Sequence, residues 1–131
     1  MENGQQLSVQ GSLVAIVDDD PAVRNSLKFS LELEGFSVWV FADGAECLQA
    51  ANLPECACLV IDQNMPGMTG LELLAQLRNR QVSMPAILIT SHPNANLRER
   101  AARSGIPIIE KPLLSDALLE SIRAAVARQP C

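Results

Sequence analysis

Leu59-Val60-Ile61-Asp62-Gln63-Asn64-Met65-Pro66-Gly67-Met68-Thr69-Gly70 is the stretch that decides how the rest of the chain is read. Cys58 and the three apolar residues after it run without alternation, the pattern of a strand buried on both faces, and the run ends on a carboxylate, Asp62. Pro66 and Gly67 punctuate a short loop. Thr69-Gly70-Leu71-Glu72 has the Thr-x-x-Glu form of a capping box, so a helix is expected from Gly70 to about Arg80. In an open α/β sheet ligands bind in the crevice outside the carboxyl ends of the strands, which puts Asp62 where chemistry is usually found.

The same grammar repeats on either side. Leu13-Val14-Ala15-Ile16-Val17 is a second apolar run and ends on Asp18, Asp19 and Asp20. Asp20 caps the next helix, Pro21 suits its first turn, and Val23, Leu27 and Leu31 recur at helical spacing before Gly35. Ser37 to Phe41 reads as a strand, and Asp43 with Glu46 starts a second helix whose modest apolar face, Leu48 and Ala51, runs out at Pro54. Beyond the Asp62 unit, Ala86-Ile87-Leu88-Ile89 is a fourth strand ending on Thr90-Ser91-His92, followed by a helix from Asn94 with Leu97 and Ala101 on its apolar side. Pro107-Ile108-Ile109-Glu110 is a fifth strand closed by Lys111-Pro112, and Ser115 caps a last helix carrying Leu118, Ile122 and Val126. Five strands alternating with five helices mean βαβ units, a mostly parallel sheet covered on both faces and, with right-handed crossovers, a doubly wound α/β layer.

At 131 residues there is room for one core. The expected division is a flexible leader over 1–12, one domain over 13–128 and a tail over 129–131. A net charge of -5 argues against a general polyanion binder, so direct nucleic-acid binding is not expected. No run is long enough to cross a bilayer and the start lacks the pattern of a secretory signal. Cys47, Cys56, Cys58 and Cys131 lack the spacing of a zinc site or disulfide framework; Cys56 and Cys58 are read as small buried thiols sharing a strand face. A reduced, cytoplasmic protein is the expectation.

In parallel strands all the carboxyl ends lie on one edge, so topology gathers Asp18, Asp19, Asp62, Thr90, Ser91 and Lys111 there. Crowded carboxylates must share protons or bind a cation. All-oxygen ligands in a shallow, open site favour Mg²⁺, which keeps some of its waters. A carboxylate, Mg²⁺, a hydroxyl and a lysine together make a phosphoryl-accepting site.

With those residues in place the chain resembles the receiver domains of two-component response regulators, the CheY-like family, from Leu13 to about Arg128. The motifs are Val17-Asp18-Asp19, Asp62 through Gly70, Ile89-Thr90-Ser91 and Glu110-Lys111-Pro112. The resemblance implies a flavodoxin-like sheet of order 2-1-3-4-5. It implies Asp62 as phosphoacceptor from a histidine kinase or phosphotransfer protein, and Mg²⁺ held by Asp18, Asp19, Asp62 and the main-chain carbonyl of Asn64. Thr90 would be the switch hydroxyl, with Ser91 beside it, Lys111 would pair with the phosphoryl group, and a cis bond is expected at Lys111-Pro112. The loop and strand-end motifs most resemble receivers of nitrogen-fixation and LuxR-type regulators. With no effector domain in these residues, output would pass through a partner or a homodimer, by way of the fourth helix, fifth strand and fifth helix.

The chain departs from the family pattern at Ile108, where receivers usually carry a tyrosine or phenylalanine that swings inward when the threonine moves. Readout would then rely on packing. His92 is the sole histidine and stands near the site, able at most to tune hydrolysis or access. Arg98, Arg100 and Arg103 make a small basic patch on the fourth helix. Two other functions fit parts of the sequence. Asp18-Asp19-Asp20 resembles the Asp-x-Asp core of haloacid dehalogenase-type phosphatases, with Asp18 as nucleophile, although Ala22 stands where those enzymes have Thr or Val. A pseudo-receiver would fold alike and bind its partner without phosphorylation.

Overall fold

The computed structural model describes residues 11–50, 56–113 and 116–127. Along them run β1 (Leu13–Val17), α1 (Pro21–Leu33), β2 (Ser37–Phe41), α2 (Gly44–Leu48), β3 (Cys58–Asp62), α3 (Gly70–Asn79), β4 (Ala86–Thr90), α4 (Ala95–Arg103), β5 (Ile108–Glu110) and α5 (Ala117–Ala127). The strands form one sheet of order β2-β1-β3-β4-β5, and every pairing is parallel. Asp62 and Thr90 are the last residues of their strands rather than the first of the loops, so strand pairing itself fixes their backbones.

Strand alternation splits the core in two. Ala15, Val17, Leu59, Ile61 and Leu88 pack with Cys47 of α2, Leu73 and Leu77 of α3 and Leu97 of α4. Val14, Ile16, Val60, Ile87 and Ile89 pack with Leu27 and Leu31 of α1 and Leu118, Ile122 and Val126 of α5. Fully burying a side chain of this size is worth roughly 1.5–3 kcal/mol, so the three central strands anchor the fold and hold their carboxyl ends in register.

The expected caps form. Asp20 Oδ1 accepts from Ala22 N–H (2.9 Å) and Asp43 Oδ1 from Glu46 N–H (2.8 Å), and Asn94, read only as the start of a helix, proves to cap it, its Oδ1 accepting from Leu97 N–H (2.8 Å). Thr69 and Glu72 close a reciprocal capping box. Gly70 belongs where it is because a Cβ there would lie 2.8 Å from the Asp62 carbonyl oxygen and 2.8 Å from Leu88 Cδ1. The start of α3 is thereby laid directly against the end of β3.

Several expectations are corrected. The second helix stops at Leu48 instead of running toward Pro54. Ala50 N–H reaches back three residues to Cys47 O (3.1 Å), a tighter turn that ends the helix once its one fully buried anchor, Cys47, has been placed. β5 starts at Ile108, not Pro107, and Pro107 instead accepts from Leu88 N–H through its carbonyl. Cys56 and Cys58 do not share a strand face: β3 begins only at Cys58, and the two thiols enter opposite halves of the core. At the head of the described residues, Gly11 N–H donates to the Gly35 carbonyl and the Ser12 carbonyl accepts from Ser37 N–H at the start of β2. Ala51, Pro54, the cap at Ser115, Cys131 and the leader over 1–10 lie outside the described residues.

Candidate functional site

Three strand ends converge on one edge of the sheet. Asp18 follows β1 and is fully buried, Asp19 beside it is exposed, and Asp62 at the end of β3 is 3% exposed. Each offers a carboxylate oxygen, and the three oxygens lie within 4.8 Å of one another. Lys111, just past β5, reaches into the same group. Its Nζ lies 3.2 Å from Asp18 Oδ2 and 3.3 Å from Asp62 Oδ1.

The surrounding backbone fixes the acids. Asp18 Oδ1 accepts from Asp20 N–H (2.9 Å), while Arg24 of α1 donates to the Asp18 carbonyl (2.7 Å). Asp62 Oδ1 accepts from Asn64 N–H (3.3 Å). Burial pushes the Asp62 carboxyl up to about 6, and the Asp18 charge adds to the rise; Lys111 and the Asn64 N–H hold it from going higher. Burial alone would lower Lys111, but Asp18 and Asp62 outweigh it and raise the ammonium above its ordinary value. Two acids and one lysine therefore leave negative charge uncompensated in a largely dry place. The donor set is hard oxygen throughout, and it fits a divalent cation such as Mg²⁺.

Thr90 is fully buried, and its Oγ1 accepts from Asn64 Nδ2 (3.0 Å) and from His92 N–H (3.2 Å). Its carbonyl accepts from Lys111 N–H (2.8 Å), which ties β4 to the lysine, and the peptide bond at Lys111-Pro112 is cis. The structure thus brings Asp18, Asp19, Asp62 and Lys111 together and connects Thr90 to them through Asn64. Ser91 and His92 are exposed, and neither side chain hydrogen-bonds to the acids among the described residues. Ile108 is half-buried against the α2–α3–α4 side of the core. Arg98, Arg100 and Arg103 are exposed on α4, with Arg103 paired to Glu99 at 3.0 Å. Burial pushes the Cys47 thiol up to about 12, with Cys56 and Glu46 adding to the rise, so it stays protonated and inert at neutral pH.

Sequence reasoning missed two residues that build this site, and the side-chain role of a third, Asn64, which it named only for its carbonyl. Arg24 clamps the backbone at Asp18; Gln63 Oε1 accepts from Leu71 N–H (2.9 Å) and fastens α3 to the loop; and the Asn64 side chain reaches Thr90. Gln63 is buried, and buried polar groups are hydrogen-bonded, but that burial is set by the fold and left no sign in the sequence.

The family model for the response regulator receiver domain matches residues 14–123. The chain belongs to that family. It is 41% identical over 115 residues to the C4-dicarboxylate transport transcriptional regulatory protein DctD of Pseudomonas aeruginosa, covering 86% of this chain and 25% of DctD. It is 35% identical over 114 residues to the transcriptional regulatory protein FixJ of Bradyrhizobium diazoefficiens, covering 86% of this chain and 56% of FixJ. The receiver therefore spans between a quarter and just over half of these relatives. The crystal structure of FixJ-N superposes with a TM-score of 0.80 at 34% identity, covering 94% of this chain and 99% of that one. Vibrio cholerae CheY4 superposes with a TM-score of 0.80 at 25% identity, covering 88% and 98%. The CheY-like fold and the kinship with FixJ-type receivers agree with the sequence motifs. Receivers of this family generally signal rather than catalyse and typically bind Mg²⁺ at an acidic pocket, and this receiver has the acids for it. Among the described residues no helix is long and apolar enough to cross a membrane.

Proposed function

We propose that this receiver takes a phosphoryl group on Asp62 from the phosphohistidine of a sensor histidine kinase or phosphotransfer protein, and that the modification switches its binding to a downstream partner or a second copy. The observation that carries the reading is the meeting of Asp18, Asp19 and Asp62 within 4.8 Å, with Lys111 Nζ bridging two of them. Asp62 Oδ1 receives Lys111 and the Asn64 N–H, so Oδ2 is the oxygen left to attack. An O–P bond forms as the P–N bond of the donor breaks, and the electron pair returns to the imidazole nitrogen. Lys111, already within reach of Asp62, turns to the charge on the transferred group. Mg²⁺ held by Asp18, Asp19, Asp62 and the Asn64 carbonyl would neutralise charge on the equatorial oxygens. Thr90 is the hydroxyl that answers the phosphoryl group, with Ser91 beside it and His92 at the rim tuning hydrolysis or access.

The receiver itself is assigned to 13–128. A cytoplasmic setting suits buried thiols and a kinase donor. Its output face is α4, β5 and α5, and no nucleic acid or membrane contact is required. Beyond its own phosphorylation and dephosphorylation it is not an enzyme. A phosphatase with Asp18 as nucleophile fits poorly, because both Asp18 oxygens already accept from Asp20 N–H and Lys111 in a fully buried position. A receiver that binds without phosphorylation is disfavoured by an acid cluster with uncompensated charge.

The test is labelling with acetyl phosphate and Mg²⁺. One hydroxylamine-sensitive phosphoryl group is expected on Asp62 and none on Asp62→Asn. Unchanged labelling of that variant would move the acceptor elsewhere, and label on Asp18 would favour the phosphatase.

A further inference from the structure

We propose that Asn64 is a positioning residue that latches Thr90 in the unmodified protein, so that the threonine can answer a phosphoryl group only after the Asn64–Thr90 hydrogen bond breaks. This rests on the reading of Asp62 as phosphoacceptor. Asn64 touches both ends of the switch at once: its main-chain N–H donates to Asp62 Oδ1 (3.3 Å) and its Nδ2 to Thr90 Oγ1 (3.0 Å). With the His92 N–H at 3.2 Å, the Thr90 hydroxyl oxygen has both lone pairs occupied, in a position closed to solvent. Those two donors fix where the Oγ1 stands, and any movement of the hydroxyl from β4 toward a phosphoryl group on Asp62 stretches the Asn64 contact.

Phosphorylation loosens the latch from its other end. Phosphorylation through Oδ2 turns Oδ1 from a carboxylate oxygen into the carbonyl oxygen of an acyl phosphate, and a hydrogen bond to a charged acceptor is about twice as strong as one to a neutral acceptor. The same event therefore weakens the hold on the Asn64 backbone and offers Thr90 new acceptors. Ile108 makes the latch matter more here. It is an aliphatic side chain, half-buried against the core, and it carries no ring or polar atom with which to hold a threonine in either position. Asn64 is exposed on the β3–α3 loop, so it can be truncated without opening the core.

The experiment compares beryllium fluoride binding, with Mg²⁺ present, in the wild type, Asn64→Ala, Thr90→Val and the double variant. Alanine keeps the main-chain N–H and carbonyl of position 64. Losing one net hydrogen bond from the resting state should tighten binding by about 3- to 10-fold. In the Thr90→Val background, which has no hydroxyl to release, the gain should vanish. Thr90→Ser keeps the hydroxyl and should keep the response. In the unliganded protein, the His92 amide resonance of Asn64→Ala should move part-way toward its beryllium fluoride-bound position. Equal affinity in wild type and Asn64→Ala, or the same gain with and without the Thr90 hydroxyl, overturns the latch alone. A wild type that takes no beryllium fluoride overturns the phosphoacceptor reading and the latch with it. Should alanine disturb folding, Asn64→Ser, too short to span the gap, carries the same expectations.

Discussion

Replacing Asp62 by asparagine should make the metal-free receiver more stable at neutral pH. The Asp62 carboxyl is held at about 6 against the 3.8 of an ordinary aspartate, first by burial and then by Asp18. Between those two values the folded chain binds more protons than the unfolded chain, so stability falls as pH rises through the window. A shift of about two units at ~1.4 kcal/mol each sets the cost of the ionised form near 3 kcal/mol above pH 7. Asparagine mimics the protonated acid and removes that cost. At pH 7.5 in EDTA, urea unfolding should show Asp62→Asn about 2–3 kcal/mol more stable, a midpoint higher by roughly 1–2 M at a usual urea slope. At pH 4 the gain should nearly vanish, because the wild type is by then protonated in the fold. Added Mg²⁺ should close the gap from the other side, since a ligand that binds only the folded state raises its stability by mass action. A variant no more stable than wild type at pH 7.5, or a gain independent of pH, would refute the claim that the site stores charge repulsion.

Lys111→Met leaves Asp18 and Asp62 facing each other without their cation and should cost on the order of 3 kcal/mol at pH 7.5, less below pH 5, read by the same urea unfolding in EDTA. Asp19 is exposed and contributes an oxygen to the cluster, so Asp19→Asn should weaken Mg²⁺ binding in a calorimetric titration while leaving the unfolding free energy within about 0.5 kcal/mol of wild type. Gly70→Ala would push a Cβ to 2.8 Å from the Asp62 carbonyl and Leu88 Cδ1; overpacking of about 1–3 kcal/mol and a loss of acetyl phosphate labelling should appear together.

The strand ends were legible in the sequence because they follow from topology: once five apolar runs alternate with helices, parallel pairing must bring Asp18, Asp62, Thr90 and Lys111 to one edge. The caps at Asp20, Asp43 and Thr69 were legible because they depend on neighbours within one turn. What escaped was contact across loops. Arg24 on the Asp18 carbonyl, Gln63 on Leu71 and Asn64 on Thr90 depend on how each turn aims a side chain, and no periodicity encodes that direction. The second helix was overextended for a related reason. Leu48 and Ala51 fall at helical spacing, yet Cys47 alone is fully buried, and the chain turns as soon as it is seated.

Gly70 joins the two kinds of information. In the sequence it marks where a loop ends and a capped helix begins; in three dimensions the missing Cβ lets α3 rest against the carbonyl of Asp62. Gln63 then secures the same junction from inside, through Leu71 N–H. The acid is thus fixed by strand pairing on one side and by a helix start on the other, while its charge is left partly uncompensated. A rigid mount under an electrostatically strained group is what a switch needs. Binding a cation relieves the repulsion locally, whereas a phosphoryl group on Asp62 would add charge beside Asp18; with the acid held on both sides, the parts left to answer would be the Asn64 loop and the Thr90 hydroxyl.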